Sequence, residues 1–164
     1  MNLLVVALTA LIPLVIGAIW YNPKVFGTVW IKSTGLTEDE LKKSNMMLVF
    51  GLTYLFSFFV AAILNPLVIH QFGFQSMLMG EKELFTPGSE ANTFLTSTLQ
   101  KYGNSFRTFK HGALHGTILG IMFATPVIAI LALFERKGAK YILVHAGYWI
   151  LSLALMGGTL CQLA

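Results

Sequence analysis

All eleven Lys and Arg and all seven Asp and Glu residues fall within three stretches, 24–43, 81–110 and 135–140. Residues 1–23, 44–80, 111–134 and 141–164 carry none of them. A hydrocarbon core of about 30 Å takes roughly 20 apolar residues as helix, and each uncharged stretch is long enough for one crossing. Inside a bilayer a backbone must satisfy its own polar groups, so the crossings are helices. The expectation is an all-α fold, a four-transmembrane-helix bundle in one domain over 1–164. The spans are placed at about 2–21, 45–69, 111–134 and 141–163. The chain is 55% hydrophobic and 11% charged, against about 25% charged in soluble domains, which leaves little sequence for a separate soluble domain.

The third uncharged stretch, HGALHGTILGIMFATPVIAILALF, is expected to organise the rest. Gly112, Gly116 and Gly120 recur every fourth residue, and Ala124 continues the row. On a helix that spacing stacks small residues into one groove, where a second helix can approach closely. Two occupants are equally compatible with the pattern: the first or fourth span of the same chain, or another protomer. The spacing is wrong for a nucleotide-binding glycine motif, which opens a helix after a strand.

Pro13 and Pro126 lie inside the first and third spans and predict a break in each, because proline lacks the amide donor and crowds the preceding turn. Their similar depth hints at a duplicated two-helix unit. Trp20 and Tyr21 are interfacial aromatics that end the first span, and Pro23 turns the chain there. Val25, Phe26, Val29 and Trp30 predict a short amphipathic turn lying in the interface. Thr37 with Glu40 matches a capping box, from which a helix is expected to run into the second span. In that span, Asn65 is too polar to face lipid and is expected to hydrogen-bond a neighbouring helix beside Pro66.

The 70–110 stretch is read as a long loop holding one amphipathic helix. Its start is Thr86–Pro87 or Ser89–Glu90, and its stop is Gly103. This helix lies on the membrane or caps the bundle as a lid. A further cap at Asn104 or Ser105 is expected to begin the run into the third span. The short 135–140 turn makes the third and fourth spans antiparallel neighbours.

The first and third loops carry Lys24, Lys32, Lys42, Lys43, Arg136, Lys137 and Lys140, and the long loop carries Lys82, Lys101, Arg107 and Lys110. The positive-inside rule then puts both termini and the long loop outside. The N-terminus has no basic region or cleavage site of a secretory signal, so the first stretch is read as a retained span. The net charge of +4 is spread over loops; without a basic helix or interleaved aromatics, nucleic acid is not an expected partner. The expected partners are the lipid bilayer and either further copies of this chain or another membrane protein.

The run GAIWYNPKVFGTVW followed by TGLT, with FKHGALHG and LFERKGAKYILVHAGYWILSLALMGG further on, resembles the membrane-protein family DUF1761. The resemblance lies in both ends of the chain, roughly half of it. It implies a small multi-pass protein, mostly bacterial, of unknown function, and hence the inner (cytoplasmic) membrane. It brings no catalytic residue.

Four side chains form the one constellation with chemical potential. His70 ends the second span, His111 and His115 begin the third, and Cys161, the only cysteine, lies near the end of the fourth. All four fall at one membrane level. Imidazole and thiolate are ligands for zinc or copper, and His111 and His115 offer two of them one helical turn apart. The plainer expectation is interfacial polar residues with ordinary hydrogen bonds. His145 lies near the opposite face and is expected to bond the start of the bundle or a loop. No Asp, Glu, Lys or Arg lies in a span, which argues against a proton pump or ion-coupled transporter. No nucleophile with its base is present, so catalysis is not expected. Three functions remain: an oligomeric or accessory membrane protein, a channel or carrier for a small solute, and an outer-face metal-binding protein.

Overall fold

The structure, a computed structural model, describes residues 2–164, the side chain of Glu38 apart. No strand occurs among the described residues. Among the described residues, four helical segments are long and apolar enough to cross a membrane: Leu3–Trp20, Met46–Val68, Phe109–Phe134 and Ala139–Leu163. Their outer faces expose Phe50, Phe56, Phe59, Ile63, Met122, Phe123, Leu133 and Phe134. So continuous an apolar surface suits lipid, not water.

The first span is two helices, α1 (Leu3–Thr9) and α2 (Ile12–Trp20). Pro13 causes the break. It would clash with the carbonyl four residues back, so α1 stops at Thr9 and Pro13 becomes the second residue of α2, where no amide donor is needed. A π-helical turn at Pro23–Gly27 leads into α3 (Thr28–Thr34), so the expected amphipathic turn is helical throughout. Gly35, at φ 78°, ends it in the left-handed conformation that glycine tolerates best.

The Thr37–Glu40 capping box forms at α4 (Glu38–Lys42). The Thr37 amide donates to Glu40 Oε2 at 2.8 Å, and the Glu40 amide to Thr37 Oγ1 at 3.3 Å. The bonds that the Thr37 amide and hydroxyl donate to the carboxylate hold the Glu40 carboxyl below its ordinary range. The helix does not continue into the second span as expected. Asn45 caps a new helix, α5 (Met46–Val68), by accepting from the Leu48 amide at 3.2 Å. Ser44 and Asn45 side chains compete for backbone groups, which favours this interruption.

α5 runs through Pro66 to Val68. The break falls at Ile69, which is extended (φ −112°, ψ 98°), and α6 (His70–Met77) follows where a loop was expected. Asn65 is fully buried, but its side chain makes no hydrogen bond to any described residue. The helix-to-helix bond expected of it is therefore not formed. α7 (Glu90–Tyr102) is the amphipathic helix, capped by Ser89 and followed by Gly103. The third span comprises α8 (Phe109–Leu119), a π-helical turn at Gly120–Ala124 and α9 (Thr125–Phe134). Pro126 again takes the second position of its helix. Here the break is a π turn, in which Thr125 Oγ1 donates to the Gly120 carbonyl at 2.9 Å. α10 (Ala139–Leu163) closes the bundle after a tight turn.

The hub is α10, not the third span. It touches α8, α9, α5, α1, α2 and α3, and it is the most buried of the four spans. One face, with Leu153, Met156 and Leu160, joins Val6, Ala61, Leu64 and Val68 in the core. The other receives the glycine row. A Cβ on Gly112 would lie 2.1 Å from the Gly157 carbonyl oxygen, and one on Gly116 would lie 2.0 Å from that of Leu153. A Cβ on Gly120 would lie 2.7 Å from the Ile150 Cα. Ala124 packs at the edge of the same core. The groove is thus filled within the chain, by the fourth span.

The end with the short turn is tied by side chains. Trp20 Nε1 donates to the Val144 carbonyl and the Tyr148 hydroxyl to the Pro13 carbonyl, both at 3.0 Å. Lys137 Nζ donates to the Thr34 carbonyl at 2.5 Å, so the first and third loops share one end of the bundle. His145 meets the first span as expected, with its Nδ1 3.1 Å from the Tyr21 hydroxyl.

Candidate metal centre

At the other end of the bundle, three histidines from two elements converge. Thr108 accepts from the His111 amide at 3.3 Å and starts α8, three or four residues later than the cap expected at Asn104 or Ser105. His111 and His115 then lie in successive turns on one face. Each precedes a groove glycine, so the face that seats α8 on α10 is adjacent to the face that presents the imidazoles. His70 arrives from the other side. The extended Ile69 ends α5 and makes His70 the first residue of α6.

His70 Nε2 lies 2.9 Å from His111 Nε2 and 3.3 Å from His115 Nε2. One nitrogen from each ring falls within 4.8 Å of the others. Two ligands on a tetrahedral zinc, at bonds of about 2.0–2.1 Å, stand about 3.4 Å apart. The His70–His115 separation of 3.3 Å matches that value, and the His70–His111 separation of 2.9 Å is shorter. A single cation accepts three imidazole lone pairs at once, whereas hydrogen bonding among three convergent ring nitrogens needs an alternation of donors and acceptors. His111 and His115 are half-buried and His70 is exposed, so the cluster is reachable from outside.

Residues that sequence reasoning did not single out hold this arrangement. The Phe106 ring centroid is 5.1 Å from that of His111 and 6.0 Å from that of His70. Phe106 takes a left-handed backbone, φ 61°, uncommon for a bulky side chain. Its neighbours pin it. The Arg107 guanidinium donates through Nε to the Cys161 carbonyl at 2.7 Å and through a second nitrogen to the Ala164 carbonyl. These are carbonyls at a helix C-terminus, where a cation is favoured. Gln71 Nε2 donates to the Tyr102 and Ser105 carbonyls, each at 3.0 Å, and fastens α6 to the end of α7. The positive charge of Arg107 was visible in the sequence, but its partner was not, because the two are distant in the chain.

Cys161 stands outside the cluster. Its thiol is buried between α8 and α10 and donates to the Phe106 carbonyl at 3.3 Å. A Cβ on Gly112 would lie 2.4 Å from the Cys161 Cβ, so this side chain is part of the helix seam. Sharing a membrane level brought three of the four candidate ligands together, and helix packing turned the fourth away.

Fold and cluster together define a class: a four-span helical membrane protein carrying a histidine triad where its second span ends and its third begins. The chain belongs to the DUF1761 family of proteins of unknown function, whose profile matches residues 4–161. The match includes the long loop, beyond the two ends that carry the sequence resemblance. No curated protein and no solved structure matches the chain significantly.

Proposed function

We propose that this protein binds a transition-metal ion through His70, His111 and His115. The convergence of the three Nε2 atoms is the observation that carries this reading. Three neutral imidazoles with an open fourth position suit zinc or copper, and no thiolate takes part. The seam once open to an oligomer is filled by α10, so a homo-oligomer or membrane partner uses a different surface. By the positive-inside rule the triad faces outward, with both termini on the same side of a bacterial cytoplasmic membrane.

The test is metal content after purification in mild detergent, supplementation with zinc or copper, and dialysis. The native chain is expected to retain about one ion per chain, and His70→Ala, His111→Ala and His115→Ala each to lose it. Cys161→Ser keeps the ion, because its side chain bonds Phe106. A native chain that retains no metal overturns the proposal. Equal retention by all three alanine variants overturns it too.

A further inference from the structure

One member of the triad, His70, lines a cleft of about 460 Å³ between α6, α7 and the turn that precedes α8. His70 is at its edge, and Phe74, Leu99, Tyr102 and Phe106 form most of its wall. The volume falls within the ~300–1,000 Å³ of small-molecule sites. The cleft is preformed: Gln71 bonds the Tyr102 and Ser105 carbonyls across it, and Phe74 packs on Phe94 of α7 with ring centroids 5.9 Å apart. Phe106 belongs to both cleft and triad, since its ring also lies against His111 and His70.

We infer that this cleft binds the chain of a single-tailed amphiphile whose anionic oxygen head completes the coordination of the metal. The inference rests on the metal-binding reading above. Its first support is charge. Neutral imidazoles leave the charge of a divalent ion uncompensated, and among the described residues no acidic side chain lines the cleft to balance it. An incoming carboxylate is both ligand and counter-charge. The second support is the apolar wall, which holds a hydrocarbon tail and offers few groups to a polar ligand. The third is depth. The second span ends at Val68 and the third begins at Phe109, so the triad and cleft lie at the edge of the hydrocarbon layer, where amphiphile heads reside. A long-chain carboxylate is the occupant this chemistry selects.

The experiment uses the full chain in lipid nanodiscs loaded with cobalt(II), whose visible absorption reports its ligand set. Laurate, methyl laurate and acetate are the probes. Leu99→Trp and Thr98→Phe narrow the cleft without touching a ligand, and bound cobalt per chain reports whether each variant is folded. The native chain is expected to shift its cobalt bands with laurate and not with methyl laurate. The narrowed variants bind cobalt equally but need at least roughly tenfold more laurate, because chain burial is lost. All three preparations partition laurate into the same bilayer, so partitioning cancels. Equal laurate response in the native chain and both narrowed variants overturns the inference and leaves the metal centre standing, as does an equal response to methyl laurate. Failure of the native chain to bind cobalt overturns the metal reading, and the inference with it.

Discussion

Single atoms decide how the third and fourth spans meet. At Gly116 even a methyl group would sit 2.0 Å from the Leu153 carbonyl oxygen, a backbone atom of another helix that cannot swing aside. Gly51 has nothing within 4 Å of the same added atom. Gly116→Ala is therefore expected to destabilise by about 1–3 kcal/mol or more through overpacking. Gly51→Ala is neutral or slightly stabilising, since alanine is the better helix former. Thermal unfolding in a single detergent, followed by tryptophan fluorescence, compares the two; equal midpoints contradict this account of the seam. Asn65 shows the limit of reasoning by residue type. Its amide is buried, as its polarity near Pro66 predicted, but it finds no partner among the described residues. Polarity excludes lipid; it does not place a neighbour's acceptor within reach.

The elements follow local rules closely where their ends are set by one or two residues. Both intraspan prolines end as the second residue of a helix, with the break placed upstream. The capping box formed as its spacing required, while the helix it starts is short because Asn45 caps the next one. The Glu40 carboxyl, held low by Thr37, favours the folded α4 at pH values above its unfolded range near ~4.3. That contribution is lost as pH falls through the lower, folded value. Thr37→Ala removes the hydroxyl bonds but keeps the backbone amide that donates to Glu40, so it is expected to weaken this acid sensitivity at α4 without abolishing it, and to cost about 1 kcal/mol of local helix stability at neutral pH. Amide hydrogen exchange of residues 38–43, measured at pH 3 and pH 7 in both forms, checks it. An unchanged exchange rate in the variant at pH 7 means that the cap does not hold α4. α6 is the element the sequence concealed. HQFGFQSM has no cap and a glycine within it, so nothing local announces a helix; contacts through Gln71 to the end of α7 support it.

At the scale of the molecule, α10 arranges everything else. It has one face for the α1–α5 core and one for the glycine row, whereas the third span is engaged mainly on its glycine side. The Lys137–Thr34 bond and the aromatic contacts of Trp20 and Tyr21 gather the first and third loops at one end. The triad and α7 lie at the other. The basic loops predict which end is cytoplasmic. In a Cys161→Ser background, a cysteine at Lys82 is expected to react with an impermeant maleimide added to intact cells. One at Lys140 reacts only after the membrane is opened. The reverse pattern inverts the orientation and puts the triad inside.

Four charge-free stretches were enough to settle the helical class, and the spans fall within two residues of the bounds read from the chain. This holds because the cost of a charge or an unpaired backbone group in hydrocarbon is a property of each segment alone. The His111–His115 pair was legible for a similar reason, as helix periodicity joins residues four apart. What fills a groove, and which ligand on another helix comes within bonding distance, depend on how distant segments pack. Only the tertiary structure put α10 into the glycine row, turned His70 towards the pair by breaking the helix at Ile69, and directed the Cys161 thiol to the Phe106 carbonyl.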